Sequence, residues 1–418
     1  MIDENERTPL MDDPVKTGAP EDKYGLAWIC CSFLGLGLLF PFNCYIAASD
    51  FYATLYPNVS YAFLMSLAYN FFSWILLFVS LRVMPKFSFR LRINTFIIGG
   101  AAILFVMPFI PSMISQETGA VSFSLVLTFL SGCLSSLLFG SVMGLVALFP
   151  PTYTGSVMSG IGVAGICASL LRIITKVAMP NTEQGQKTSS YLYFFLGSFI
   201  LLTCFLAFQL LLRLPITKYY MTSYEASRAK NGSINDSTNN TKNEVPLKPL
   251  LLKVWKEAFV VFTVFFTTLS LFPGVTGLVQ NIDSNLGQDW FNIIFTSFFM
   301  VGDFIGRTAP KWFILFNPNN LWIPTVARLI FFPLFSLCVK PVVFKSIYIY
   351  FTFMFLFSLT NGYCGTLAMM FGPTKADEHE KEVTGIVMSF FLNFGIWVAT
   401  MFAFLLSYLL TGSTGINF

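Results

Sequence analysis

Thr154-Gly155-Ser156-Val157-Met158-Ser159, with Gly165 six residues on, recurs as Thr384-Gly385-Ile386-Val387-Met388-Ser389, with Gly395 six residues on. Five of six positions match at an offset of 230, and both copies lie inside long apolar segments. Two further pairs keep the same order. Leu39-Phe40-Pro41 reappears as Leu271-Phe272-Pro273, and Gly140…Phe149…Pro151 reappears as Gly362…Phe371…Pro373, so the offsets all fall between 222 and 232. Three ordered matches mark an internally duplicated chain, and duplication within apolar segments points to membrane transport.

The composition agrees. Charged residues make up 11% of the 418, aromatics 17%, and mean hydropathy is +0.69. A soluble domain cannot hide that much apolar surface, so the bilayer is the solvent for most of the chain. The net charge of +4 is too small to argue for nucleic acid as a partner. All eight cysteines lie in apolar segments, away from the single His379. They read as small core residues, and neither a metal site nor a cofactor is expected. Residues 1–24 are polar and acidic and the first apolar run is a full span, so no cleavable signal peptide is read.

Apolar stretches long enough to cross a hydrocarbon core of about 30 Å fall at 25–49, 61–83, 93–115, 121–149, 154–178, 190–213, 255–280, 290–314, 320–339, 346–372 and 382–411. That predicts an all-α integral membrane protein of eleven transmembrane helices, six plus five. Its parts are a cytoplasmic tail over 1–24, a six-helix bundle over 25–213, a flexible linker over 214–254 and a five-helix bundle over 255–418. The linker is rich in Asn, Ser, Thr and Lys near 222–250, a composition that favours disorder. With the N-terminus cytoplasmic and the C-terminus exofacial, eighteen Lys and Arg residues collect on the cytoplasmic side and four on the other. In this orientation Asn58-Val59-Ser60 is an exofacial glycosylation acceptor.

Asp303-Phe304-Ile305-Gly306-Arg307 places opposite charges at i and i+4, on one helical face. A lone charge at membrane depth costs roughly 2.5–3.5 kcal/mol on insertion scales, so such a pair is kept for a reason. Two readings stay open: a buried ion pair clamping two helices, or polar groups facing a central cavity and a polar solute. Asp50, at the outer end of the first span, is a second acidic position. Pro41 and Pro273 stand at corresponding points of the two halves, where each removes a backbone hydrogen bond, and paired breaks of this kind point to a substrate site. Gly140 and Gly144, then Ser156, Gly160, Gly165 and Ser169, form small-residue steps that let helices approach closely. Phe42 and Phe139 offer rings on which a flat heterocycle could stack. Gly160-Ile161-Gly162-Val163-Ala164-Gly165 spells a dinucleotide motif but lies within an apolar helix with no strand before it, which excludes that site. No phosphate loop, catalytic carboxylate pair or nucleophile elbow occurs, so the chain does not read as an enzyme and ATP does not drive it directly.

These residues closely resemble the equilibrative nucleoside transporter family along nearly the whole chain. The family's first-helix proline-tryptophan-asparagine triplet appears as Pro41-Phe42-Asn43. Further matches are Gly140-Ser141…Gly144-Leu145…Pro151-Thr152-Tyr153-Thr154…Met158-Ser159-Gly160, Leu271-Phe272-Pro273, Asp303…Gly306-Arg307, Ala327-Arg328-Leu329…Pro333 and Asn361-Gly362-Tyr363…Phe371-Gly372-Pro373. The resemblance implies a major-facilitator-like fold and alternating access for nucleosides or nucleobases, purines favoured, without ATP. By position it implies a substrate-contacting set of Phe42, Met65, Phe139, Met143, Asp303 and Arg307, with Pro41, Pro273 and Asp50 as helix-break or gating positions. Asp303 and Arg307 would lie near the sugar and Phe42 beside the base. Three residues depart from the animal pattern. Phe42 replaces tryptophan, Phe139 replaces glutamine, and Met300 replaces asparagine one turn before Asp303, which makes the expected pocket more apolar and open to bare nucleobases.

Glu6, Leu10 and Met11 resemble an acidic dileucine sorting signal, so the expected residence is the plasma membrane or a lysosomal or vacuolar membrane. The chain therefore reads as a carrier of nucleosides and nucleobases, equilibrative or coupled to protons, with Asp50 and Asp303 the acids placed to serve. The rival reading is a same-fold carrier for another heterocyclic or organic-cation solute. A non-transporting receptor or scaffold is a second rival, weakened by the duplication and the paired charges.

Overall fold

A computed structural model of the chain describes residues 18–48, 52, 61–114, 116–179, 183–236, 245–281 and 287–411, and no strand occurs among them. The helices are α1 (Leu26–Ala47), α2 (Tyr61–Asn70), α3 (Ser73–Val83), α4 (Phe89–Val106), α5 (Glu117–Val146), α6 (Pro151–Val177) and α7 (Glu183–Arg213). There follow α8 (Pro215–Asp236), α9 (Leu247–Leu271), α10 (Gln288–Thr308), α11 (Trp322–Ala327), α12 (Phe331–Val339), α13 (Ile347–Phe371) and α14 (Lys381–Thr411). Among the described residues, ten helical stretches are long and apolar enough to cross a bilayer, and the protein is a multi-pass membrane protein. Of the eleven expected spans, the one at 290–314 is not among these ten. It is helical, as α10, but its Gln, Asn, Asp and Arg residues dilute its apolar content.

The chain divides into two compact units: Met1–Trp255 with Met370–Phe390, and Lys256–Met369 with Phe391–Phe418. The end of α13 and the start of α14 thus belong with the first unit. Glycine and charge explain why. A Cβ on Gly385 of α14 would meet the backbone carbon of Met143 at 2.6 Å, so only glycine lets α14 cross α5 this closely. Beside that crossing, Arg92 Nη2 of α4 donates to Glu382 Oε1 at 2.7 Å, and the Tyr224 hydroxyl of α8 donates to Glu382 Oε2 at 2.6 Å.

In the first unit Asp22 accepts from the backbone N–H groups of Ala27 (2.9 Å) and Trp28 (3.1 Å), satisfying donors that the first turn of α1 leaves open. Gly35 on α1 and Gly160 on α6 let these helices cross backbone to backbone, since a Cβ on either would fall within 3 Å of the other helix. Phe40, Tyr45, Tyr193, Phe194 and Leu104 fill the core between α1, α4 and α7. In the second unit the core is phenylalanine-rich, with Phe291, Phe295, Phe299, Phe331, Phe335 and Phe357 packed together. Phe272 and Phe299 stack with centroids 3.9 Å apart and planes within 6°.

The stretch expected as a flexible linker, 214–254, is helical over Pro215–Asp236 and again from Leu247, while 237–244 lie outside the described residues. Its polar composition hides two tertiary anchors that hold helix against disorder. Tyr224 binds Glu382, and Arg228 Nη1 donates to the Pro85 carbonyl at 3.0 Å.

Candidate substrate site

Phe42 and Met65 come together in the first unit. With Tyr45, Ile46, Ser66 and Tyr69 they line a cavity of about 10 Å³, room for about one water. Phe42 packs on Tyr69 with centroids 5.0 Å apart and planes tilted by 42°, and Tyr45 meets Tyr69 edge-on at 6.0 Å. Asn43, next along α1, keeps a buried amide nitrogen Nδ2 with no hydrogen-bond partner. The cavity wall is thus mainly aromatic, and Asn43 is not part of it.

Phe139 and Met143 are both buried on α5, one turn apart. Their neighbours Gly140 and Gly144 face Leu77 and Glu382 at close range, so this part of α5 is wedged between α3 and α14. Neither residue lines the Phe42 cavity.

Pro41 lies inside α1, and the helix continues through it. The residue four positions back, whose carbonyl a proline ring crowds, is Gly37, which packs against Cys204 of α7. Pro273, by contrast, follows the end of α9 at Leu271. The two prolines therefore act differently: one is absorbed by its helix, and the other stands beyond a helix end.

In the second unit Asp303 and Arg307 meet as expected, Arg307 Nε donating to Asp303 Oδ2 at 2.6 Å, and both are buried. Three residues that sequence reasoning did not place in the site extend this pair into a chain. Asn361 Nδ2 donates to Asp303 Oδ1 at 2.6 Å, and the Thr268 hydroxyl donates to Asn361 Oδ1 at 2.7 Å. Arg328 Nη2 donates to the Thr268 oxygen at 2.6 Å, and its Nη1 reaches the Phe357 carbonyl and the Thr360 hydroxyl. Glycine again sets the geometry. A Cβ on Gly362 would lie 2.6 Å from Arg307 N, and one on Gly306 would lie 2.9 Å from Tyr363 N, so α10 and α13 touch through their backbones. That contact brings Asn361 within reach of Asp303. The available signal was Asn361-Gly362 itself, a polar residue beside the glycine of a helix crossing.

The arrangement can hold a polar solute by hydrogen bonds without spending a bare charge on it. Asp303 already receives two donors, and Arg328, 2% exposed, sits at the far end of the chain with its Nε unpartnered. Asp50, Asn58, Glu6, Leu10 and Met11 lie outside the described residues.

The profile of a family described as nucleoside transporter matches residues 124–408, more than half of the chain. The chain belongs to the nucleoside transporter family. A relative named equilibrative nucleotide transporter 8, of Arabidopsis thaliana, is 28% identical over 400 residues, covering 95% of this chain and 97% of its own. The human protein named equilibrative nucleoside transporter 2 is 28% identical over 463 residues, covering 94% and 99%. Among solved structures, that of the proton:xylose symporter XylE of the major facilitator superfamily superposes with a TM-score of 0.62. It covers 94% of this chain and 97% of that one at 11% identity, which carries the fold alone. The family member described here is accordingly an all-helical, major-facilitator-like membrane transporter, and its relatives are transporters and not enzymes.

Proposed function

We propose that this transporter moves nucleosides, and bare nucleobases with them, by alternating access without ATP. The observation that carries the reading is the buried Asp303–Arg307 pair and the hydrogen-bonded chain behind it, in a membrane helix whose sequence matches a nucleoside transporter profile. Ionisable groups at membrane depth mark solute pathways. The aromatic wall formed by Phe42 and Tyr69 supplies a stacking face for a heterocycle, and purines, with the larger ring, gain most from it.

The finer topology follows the charge asymmetry and the repeats. Eleven spans arise when α10 is counted with the ten apolar ones, in a six-plus-five pseudo-repeat with the N-terminus cytoplasmic. Phe139, Met143 and Met65 line the solute path, Pro273 marks a bend in it, and Asp50 is a gating acid at its outer end. Protons are co-substrates only if Asp303 or Asp50 exchanges one during the cycle. Asn58 carries a glycan, and the protein resides in the plasma membrane or, where Glu6, Leu10 and Met11 act as a sorting signal, in a lysosomal or vacuolar membrane.

Uptake of radiolabelled adenosine into proteoliposomes, with and without an imposed proton gradient and with unlabelled hypoxanthine as competitor, tests the reading. Saturable uptake that needs no gradient and is inhibited by hypoxanthine is the expected outcome. Folded protein with no saturable uptake in either condition transfers the assignment to another heterocyclic or organic-cation solute on the same scaffold.

A further inference from the structure

A cavity of about 240 Å³ opens in the first unit among the end of α3, the turn after it, α8 and the approach to α14. Its wall includes Arg82, Lys86, Arg228 and His379, and among the described residues no acidic one lines it. The four carboxylates flanking His379 in sequence bond cations outside that wall: Glu382 receives Arg92, Asp377 and Glu380 receive Lys253, and Glu378 receives Lys381. Arg228 is held in place by its bond to the Pro85 carbonyl, which aims a guanidinium along the wall without neutralising it. His379 is the chain's single histidine and lies in the same wall. Clustered guanidinium groups with a further donor match the oxygens of a phosphate, which arginine engages in pairs.

We propose that this cavity binds a phosphate-bearing anion, held by Arg82, Arg228 and His379. The volume admits a phosphate with a ring attached, as in an inositol phosphate. The face concerned is the one to which the lysine and arginine asymmetry assigns the cytoplasm, where anionic lipid headgroups and free phosphates are both present. Tyr224 stands in the cavity wall and also donates to Glu382, so an occupant would bear on the junction of α4, α8 and α14. The site is therefore regulatory, independent of which solute the carrier moves.

Binding is measured on purified full-length protein in nanodiscs, in two arms. One uses phosphatidylcholine discs titrated with inositol trisphosphate and with inorganic phosphate. The other compares discs with and without phosphatidylinositol 4-phosphate by the thermal stability of the protein. Saturable binding in the first arm assigns a free phosphate, and stabilisation confined to the second assigns the lipid headgroup. The paired substitution Arg82→Gln with His379→Gln weakens either effect by roughly tenfold or more, the scale of lost charged hydrogen bonds. Arg82 is exposed and His379 partly so, which keeps the fold out of the comparison, and Lys248→Gln, outside the cavity, leaves binding unchanged. No binding in either arm, or equal weakening by the paired variant and by Lys248→Gln, overturns the proposal.

Discussion

Gly385 lies against Met143, and the matching glycine of the other repeat, Gly155, lies against Met370. Each repeat's glycine thus packs on the end of the helix that precedes the other repeat's copy. The two contacts differ in what they would yield to. A Cβ on Gly385 meets backbone at 2.6 Å, whereas a Cβ on Gly155 meets the Met370 sulfur at 3.1 Å, the flexible end of a side chain. Gly385→Ala is therefore expected to destabilise by about 3 kcal/mol, the upper end for overpacking, and Gly155→Ala by about 1 kcal/mol or less. Thermal unfolding of the purified variants checks this, and equal losses would contradict it.

The Arg92–Glu382 pair is the second expectation. Both side chains are nearly inaccessible, at 4% and 2%, and Tyr224 completes the carboxylate's hydrogen bonding. Removing one partner leaves a buried charge, so Glu382→Gln is expected to cost about 3–5 kcal/mol, while joint replacement by Arg92→Met and Glu382→Leu recovers most of it. A double variant no more stable than Glu382→Gln would show that the pair, not its burial, supplies the stability.

Lys253 and Asp377 form the opposite case. The carboxylate is 67% exposed, and Lys253 holds it below the usual carboxylate range. A depressed pKa contributes stability above the unfolded value, near 3.9, that is lost as pH falls through the folded one. Exposure and salt screening keep this small. Asp377→Asn is expected to change stability by less than about 1 kcal/mol at neutral pH and by nothing in acid below both values. A loss at neutral pH as large as that for Glu382→Gln would refute the distinction.

Much of this was legible in the residues. The repeats Thr154–Ser159 and Thr384–Ser389 marked two apolar segments that are helical, α6 and α14, and Asp303 with Arg307 announced the buried pair, because spacing on one helix is a local property. Asn361, Thr268 and Arg328 were not legible as a chain, since their contacts arise between helices distant in sequence. That the helix carrying Pro41 runs on beyond it was not legible, because a proline's effect on a membrane helix depends on what packs around it. The polar stretch 214–254 read as a linker because disorder is judged from composition, while its helix is held by single tertiary contacts at Tyr224 and Arg228.

Within the second unit, Asp303→Asn keeps the shape but removes the charge that Arg307 and Asn361 share. Adenosine uptake is expected to fall by about tenfold or more, as charged hydrogen bonds are worth roughly 1.5–3 kcal/mol. Thr268→Val interrupts the chain between Asn361 and Arg328 with little change in volume and is expected to weaken uptake less. If Asp303→Asn transports normally at equal abundance, the network is a structural clamp and the solute contacts lie elsewhere.

Phe42 sets selectivity in the last prediction. Its ring stacks but donates no hydrogen bond, and its partner Tyr69 lies 5.0 Å away with a tilted plane. Stacking is worth about 1–3 kcal/mol per base and tolerates any heterocycle, because every base has a π-face. An apolar wall therefore separates a nucleoside from its bare base only weakly, whereas a site that hydrogen-bonds its solute rejects analogues lacking the group far more strongly. Phe42→Trp adds an indole N–H beside the same stacking surface. The expected outcome is that hypoxanthine competes within about a hundredfold of adenosine in the native protein, and that Phe42→Trp widens the gap in favour of adenosine. The reverse shift, or a native preference for adenosine of several orders of magnitude, would mean that selectivity is set by hydrogen bonds to the sugar and not by the wall around Phe42.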